Sequence, residues 1–180
     1  MEADVTLLDA ARSMDQEALV KIFDLYSSAL YNYALRICND RFEADQIVGD
    51  VFAKLLEQLS AGNGPSTNLR SYLYETTYHL VIDKVRNARR EAPLEIMDFV
   101  RNDGFTTVTS LEDRILFEAV ILAIKNHLSE DQRHVIILRF LEGFSLRETA
   151  TIIGKEVYNV KVIQNRGVAK LRKALGYTVV

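Results

Sequence analysis

SLRETATIIGKEVYNVKVIQNRGVAKLRKAL, residues 145–175, is the most informative segment of this chain. It begins as a short helix, because Ser145 is placed to cap it and Glu148, three residues later, completes a capping box. Gly154 is placed to end that helix in a left-handed conformation. Asn159 is then predicted to be the N-cap of a longer second helix. Two helices joined by so tight a turn predict a helix-turn-helix.

The second of these helices is basic. Residues 155–180 hold six Lys and Arg against one Glu, a net charge of +5. A helix-turn-helix places its second helix in the major groove of DNA, with the first residues of that helix at base edges. The stretch therefore predicts a protein that reads duplex DNA. The alternative that the residues leave open is an ordinary helical hairpin whose lysines are solvated.

Composition limits the class of protein. A chain of 180 residues that is 48% hydrophobic forms one large domain or two small ones. No run of 18 apolar residues occurs, so no transmembrane helix is expected. The acidic N-terminus lacks the pattern of a secretory signal, which predicts a cytoplasmic protein. Cys38 is the only cysteine, so no internal disulfide is expected.

Helical periodicity runs through the chain and predicts an all-α fold of two modules. The first module, residues 1–92, is predicted to hold helices at about 16–38, 42–59 and 69–90, with a loop over 60–68. Residues 93–110, which contain Pro93 and Gly104, are predicted to be a flexible linker. The second module, residues 111–180, is predicted to begin with two further helices, the second of them capped by Ser129 with Gln132 and ended by Gly143, and to finish with the helix-turn-helix.

Residues that could perform catalysis do not cluster in the sequence. The three histidines are far apart and show no Cys/His spacing typical of a metal site. There is no glycine-rich phosphate loop and no nucleophile elbow. We therefore expect no metal, no cofactor and no enzymatic activity.

Taken together, three blocks of sequence resemble a bacterial RNA polymerase sigma factor of the extracytoplasmic-function type. The first block is ADQIVGDVF, residues 44–52, and the second is RSYLYETTYHLVIDKVRNARR, residues 70–90. Both resemble the family's region 2. The third block, LSEDQRHVIILRFLEGFSLRETATIIG, residues 128–154, resembles region 4. The resemblance identifies residues 1–92 as region 2 and residues 111–180 as region 4.

The resemblance implies that the protein binds core RNA polymerase and directs promoter-specific initiation. Region 4 would read the minus-thirty-five element as duplex through Asn159, Lys161, Val162, Asn165, Arg166 and Lys170. Region 2 would help to open the minus-ten element through Arg70, Tyr74, His79, Lys84, Arg86, Arg89 and Arg90. Contacts with core polymerase would come from Asp45, Gln46, Gly49 and Asp50. By position, the loop at 60–69 corresponds to the family's loop that captures an extruded base.

Three tyrosines near the start of the third helix raise a packing question. Tyr72, Tyr74 and Tyr78 recur at helical spacing, so at least one is expected in the core. We assign Tyr72 to the core, because aromatic side chains are commonly buried.

The chain departs from the family pattern at both proposed interfaces. Gln46 and Gly49 stand where family members usually carry Asp and Gln. In the last helix, Ile163 and Val168 replace two arginines, and Gln164 replaces a core leucine. We expect Ile163 to take over the packing role of that leucine.

These departures motivate a second hypothesis, a sigma-like mimic that binds an anti-sigma factor without initiating transcription. A free-standing helix-turn-helix repressor is a third hypothesis, but it leaves the first module unexplained. The family resemblance also implies regulation by an anti-sigma factor that covers the polymerase-facing surfaces of both modules.

Overall fold

The computed structural model describes residues 2–91 and 111–176, with side chains for residues 6–87 and 111–176. All regular secondary structure in this part of the chain is helical, which confirms the all-α prediction. The helices fall into two compact units, one on each side of residues 92–110. The predicted linker, residues 93–110, lies outside the described residues. Within those ranges no helix is long and apolar enough to span a bilayer.

Unit 1 consists of four helices: α1 Glu2–Arg12, α2 Gln16–Cys38, α3 Arg41–Ser60 and α4 Leu69–Glu91. The last three lie within a residue or so of their predicted positions. Helix α1 was not predicted. It packs on α2 and α3 and buries Leu8 and Ala11 there.

Short polar residues begin the three longer helices of unit 1. Asp15 accepts a 2.8 Å bond from the Ala18 amide, and Asp40 accepts a 3.0 Å bond from the Glu43 amide. These bonds satisfy donors that the first turn of a helix leaves without backbone acceptors. Asn68 precedes α4 with a φ of 50°, and its Oδ1 accepts from the Ser71 amide at 3.2 Å.

The core of unit 1 lies between α2, α3 and α4. Tyr33 of α2 and Tyr74 of α4 are fully buried, and their ring centroids are 5.5 Å apart. Branched aliphatic side chains surround this pair, among them Ile22, Ile47 and Leu55. Tilted aromatic contact and this burial fix how the three helices pack.

Unit 2 consists of α5 Leu111–His127, α6 Glu130–Ile136, a wider π-helical turn Ile137–Leu141, α7 Leu146–Ile152 and α8 Val157–Ala174. Ser129 and Gln132 form the predicted capping box on α6. Ser145 and Glu148 form the second box, with reciprocal bonds of 3.2 and 2.8 Å. Gly154 has a φ of 63°, so the predicted left-handed end of α7 is confirmed.

Helix α8 begins earlier than predicted, and Asn159 is not its N-cap. After Gly154, the Lys155 amide bonds back to the Ala150 carbonyl at 3.0 Å. This closes α7 in a Schellman-type turn and leaves only two residues before the next helix. Glu156 therefore takes the N-cap position, without a side-chain capping bond, and Asn159 is the third residue of α8.

Helix α8 packs closely on α6 in the core of unit 2. Val160 and Gly167 are the buried residues of α8, and Gly167 lies against α6. A Cβ atom added to Gly167 would lie 3.1 Å from Cγ1 of Ile136, so glycine permits this close approach. Phe144 and His134 fill the same core and are each 1% exposed.

Candidate promoter and polymerase interfaces

The helix-turn-helix presents an open groove of about 800 Å³ between α7 and α8. Three of the predicted minus-thirty-five residues line it: Asn159, Val162 and Arg166. Their spacing of three and four residues places them along one side of α8. Asn159 and Arg166 are exposed and Val162 is half-buried. This side therefore offers amide and guanidinium groups beside a small apolar surface, the chemistry that reads base edges.

The other predicted residues of α8 do not line this groove. Lys161 and Asn165 are exposed, four residues apart, on another side of the helix. Lys170 is exposed one turn beyond Arg166 and continues the side that faces the groove. The predicted set thus divides into a groove side and a flanking side.

Two basic residues of unit 2 that were not predicted line the groove, and an exposed tyrosine lies near the start of α8. Arg147 of α7 and Lys155 of the turn line it and add positive charge. Lys155 also forms a 3.2 Å ion pair with Asp131. Tyr158, in the first turn of α8, is 75% exposed. Although Arg147 lies only two residues after the predicted cap Ser145, the role of α7 as a wall of the groove becomes visible only in three dimensions.

Gln164 occupies the inward side of α8, between the buried Val160 and Gly167, and is half-buried. Its Oε1 accepts a 2.9 Å hydrogen bond from Nε of Arg139. Ile163 is also half-buried, but it lines the groove between α7 and α8. The expectation that Ile163 replaces the family's leucine is therefore wrong. Gln164 itself occupies the position of the family's leucine, and the hydrogen bond from Arg139 fixes its side chain there.

On α4, three polar or aromatic residues share one side. Tyr72, His79 and Arg86 follow each other at intervals of seven residues, which places them close to one line along the helix. His79 and Arg86 are exposed and Tyr72 is half-exposed. The Tyr72 ring, which we assigned to the core, is therefore available on this α4 face. The side chains of Arg89 and Arg90 lie outside the described residues.

Tyr74 is in the core rather than on the α4 face. It is 1% exposed and packs on Tyr33, so its ring has no free side for stacking on a base. Tyr78 is also buried, at 6% exposure. The guanidinium of Arg70 lies 5.6 Å from the centre of the Tyr74 ring and is half-exposed. The predicted positions of Tyr72 in the core and Tyr74 on the surface are reversed, because α4 is rolled so that Leu73, Tyr74 and Val81 face inward.

Lys84 lies on the side of α4 that faces α3. Its Nζ forms a 2.8 Å ion pair with Oε2 of Glu43 and a 3.0 Å bond to Oε1 of Gln46. The bond to the Glu43 carboxylate raises the pKa of Lys84. A residue predicted to contact DNA is therefore joined to Gln46, which was predicted to contact polymerase. The two predicted surfaces of unit 1 meet at this pair.

The predicted polymerase residues Asp45, Gln46, Gly49 and Asp50 are all exposed on α3. Apolar residues extend this surface in both directions, because Phe42 is 68% and Leu56 is 40% exposed. The exposed positions 42, 46, 49, 53 and 56 alternate in steps of four and three, the spacing of a coiled-coil seam. A Cβ at Gly49 would meet no atom within 4 Å. We call this surface the α3 seam.

A cavity of about 230 Å³ lies where the 60–69 loop meets α1 and α2. The loop contributes Ser66, Thr67 and Asn68 to its wall, and α1 contributes Leu7 and Leu8. Helix α1 therefore lies beside the 60–69 loop.

Family models match both units of this chain. The model described as "Sigma-70 region 2" matches residues 22–91, and "Sigma-70, region 4" matches residues 126–173. The two matches cover α2 to α4 and α6 to α8, in the same order as the predicted modules.

Curated relatives point to the same family. The chain is 26% identical over 172 residues to the ECF RNA polymerase sigma factor BldN of Streptomyces coelicolor, covering 94% of this chain and 64% of BldN, just under two thirds of that relative's length. It is 27% identical over 164 residues to the ECF RNA polymerase sigma factor SigX of Bacillus subtilis, covering 88% and 84% of the two chains.

Solved structures share the fold. The sigma factor RpoE of Bartonella quintana, determined in complex with the anti-sigma factor NepR, matches with a TM-score of 0.69 at 22% identity, over 88% of this chain and 97% of that one. CnrH, determined with the cytosolic domain of CnrY, matches with a TM-score of 0.69 at 21% identity, over 98% and 99%. Sequence blocks, region models and relatives agree, and the chain belongs to the sigma factors of the extracytoplasmic-function type, which initiate transcription without being enzymes.

Proposed function

We propose that this sigma factor binds core RNA polymerase and directs it to promoters by reading two DNA elements. Helix α8 reads the minus-thirty-five element as duplex, and α4 helps to open the minus-ten element. The observation that carries this proposal is the open groove of α7 and α8, with Asn159 and Arg166 exposed along it. A sigma-like mimic that does not read promoter DNA would not require Asn159 and Arg166 to be exposed.

At the upstream element, the groove side of α8 supplies the sequence reading. Arg166 pairs with guanine through two donors, and Asn159 pairs with adenine through a donor and an acceptor. Val162 provides an apolar contact for a thymine methyl group. Lys161, Asn165, Lys170 and Arg147 surround these residues and hold phosphates, which sets position and affinity.

At the downstream element, the α4 face supports strand separation. Tyr72 offers a ring for stacking on an unpaired base, while His79 and Arg86 offer donors and positive charge. Arg89 and Arg90 continue the basic tract in sequence, and Arg70 lies at the start of the same helix. Lys84 contributes charge while it holds α4 to α3.

The α3 seam provides the polymerase contact. Its exposed apolar ends and its coiled-coil spacing suit packing against a helical element of the core enzyme. Asp45 and Asp50 flank the seam and favour a basic partner. An anti-sigma factor that covers the same surfaces would silence the protein. One solved structure of similar fold was determined in complex with an anti-sigma factor and another with a cytosolic domain, which supports this regulation and a cytoplasmic location for the chain.

The test is reconstitution with core RNA polymerase. The purified chain and core enzyme are first passed together over a size-exclusion column at several salt concentrations. The holoenzyme is then used to transcribe fragmented genomic DNA, and the 5′ ends of the transcripts are mapped. We expect stoichiometric co-elution and a small set of start sites that share two upstream elements.

Matched variants assign the roles of the surfaces. Arg166→Ala should reduce transcription from these sites while co-elution is kept, and Phe42→Ala should reduce co-elution. A folded chain that neither co-elutes nor yields specific start sites would refute the proposal.

One observation favours the mimic as second candidate. Gln46 is already bonded by Lys84, so one of four predicted polymerase residues is engaged within the chain. The mimic predicts no specific initiation with core enzyme present. The repressor hypothesis predicts tight, specific duplex binding by the chain alone.

A further inference from the structure

Arg139 connects the two helices of the helix-turn-helix. It lies in the π-helical turn Ile137–Leu141 and is half-buried. Its Nε donates to Oε1 of Gln164 on α8 at 2.9 Å, and its guanidinium also donates to the carbonyl oxygen of Phe144. Phe144 directly precedes Ser145, the N-cap of α7. One side chain therefore reaches both the start of α7 and the middle of α8.

The location of Arg139 suits such a bridge. The turn that holds it is closed by a bond from the Glu142 amide to the Ile137 carbonyl, five residues back. Turns of this width are rare in α-helices, and those that do occur are often found at functional sites. Gly143, with a φ of 73°, then reverses the chain into Phe144. The planar fork of the arginine can hold two acceptors at once, which a lysine cannot do with the same geometry.

Gln164 is an unusual residue for its place. Its neighbours on the inward side of α8, Val160 and Gly167, are both buried, and Gly167 lies against Ile136 of α6. An apolar side chain would suffice there for packing alone. Unlike an apolar contact, a hydrogen bond has a preferred direction, because its strength falls steeply when donor and acceptor are misaligned.

Direction matters because α8 carries the residues that would read DNA. Val162 and Arg166, which line the groove, lie two residues before and two residues after Gln164 in the helix. A roll of about 10° about the helix axis moves an atom about 6 Å from that axis by about 1 Å. A shift of that size takes a paired contact with a base edge out of hydrogen-bond range.

We propose that Arg139 and Gln164 are positioning residues that set the roll of α8, and with it the base sequence that the groove side accepts. Neither residue contacts a base. The pair acts through Asn159, Val162 and Arg166. This proposal rests on the proposed function and explains why a polar residue stands where family members usually carry leucine.

The test measures sequence preference separately from affinity. Holoenzyme made with the full chain is used to select from a duplex library that is randomised over the upstream element. Four forms are compared with the wild type: Gln164→Leu, Arg139→Met, the double variant, and Gln164→Glu. Glutamate keeps an oxygen acceptor for Arg139, so it is the conservative control. Thermal unfolding of each form shows that it is folded.

We expect Gln164→Leu and Arg139→Met to reduce enrichment of the best site over a scrambled site by about ten-fold, the size of losing one good base contact. Binding to scrambled duplex should change less than two-fold, because the phosphate contacts stay. The double variant should lose no more than either single variant, since both remove the same bond. Gln164→Glu should keep the wild-type ranking of sites.

Three outcomes would overturn the proposal. If Gln164→Leu enriches the same duplex sequences as the wild type, apolar packing sets the roll of α8 equally well. An altered profile for Gln164→Glu, as large as that for leucine, shows that the glutamine amide itself touches DNA. A wild-type holoenzyme that enriches no sequence overturns both this proposal and the proposed function, whereas the first two outcomes leave the proposed function intact.

Discussion

Protonation of His134 should destabilise unit 2 as the pH falls. The side chain is 1% exposed, and this burial lowers its pKa from 6.5 to about 4. The nearby Asp131 carboxylate raises the pKa of His134, but by less than burial lowers it. Because the folded state binds the proton less readily than the unfolded chain, the stabilisation by neutral His134 is complete above pH 7. It is lost as the pH falls from about 6.5 towards 4.

The magnitude follows from the two pKa values. Each unit of difference is worth about 1.4 kcal/mol, so the full loss at low pH is about 3 kcal/mol. Between pH 7 and pH 5 the loss is about 2 kcal/mol. A domain of this size has a total stability of only about 5–15 kcal/mol, so this is a large fraction of it.

Hydrogen exchange of the full chain is the appropriate assay, because it reports on each unit separately. Protection factors, corrected for the intrinsic pH dependence of exchange, are measured at pH 7 and pH 5 for peptides covering α6 and α8. We expect them to fall about 20-fold, the equivalent of about 2 kcal/mol. Peptides covering α2 in unit 1 show how much of any change comes from other groups.

Two variants isolate the histidine. His134→Gln keeps hydrogen-bonding groups but does not titrate, so the fall in protection between pH 7 and pH 5 should largely vanish. His127→Gln removes an exposed histidine of the same unit and should leave the fall unchanged. The reasoning is refuted if wild type and His134→Gln show the same pH dependence.

Three further substitutions test other parts of the structure. Gly49→Ala should raise the free energy of unfolding of unit 1 by about 1 kcal/mol in urea titration, because a Cβ there meets no atom and alanine favours the helix; a loss of stability would show a packing role for this glycine. Gly167→Val should lower the stability of unit 2 by about 1–2 kcal/mol, because its side chain would enter the space of Ile136; unchanged stability would mean that α6 and α8 separate easily. Arg86→Glu combined with Arg89→Glu should impair promoter opening, measured by permanganate reactivity of unpaired thymines, while the affinity for core enzyme is kept; equal loss of both would place this tract on the polymerase surface.

Local signals in the sequence predicted most of the fold. The capping boxes at Ser129 and Ser145, and Gly154 at the end of α7, involve residues three to nine positions apart, so short-range rules are sufficient. Helix α1 was missed because its buried residues, Leu8 and Ala11, gain their stabilisation from α2 and α3 rather than from local propensity.

The sequence nominated candidate site residues, but which of them are exposed depends on tertiary packing. Tyr72 and Tyr74 are two positions apart in one helix, and which of them is buried depends on how α4 rolls against Tyr33. Likewise, Lys84 is a plausible DNA contact by sequence, yet packing brings it to Glu43 and Gln46.

Most of the helices, the two capping boxes and the family could be predicted from the sequence, because these depend on periodicity, on short-range hydrogen bonds and on motif order. Helix α1 and the N-cap of α8 could not. The outward side of each helix also required the folded chain, because that roll is set by contacts between residues distant in sequence. The bond between Arg139 and Gln164, 25 residues apart, is such a contact. No pattern in the chain reveals it, since an arginine in one helix and a glutamine in another are ordinary surface residues until packing brings them together.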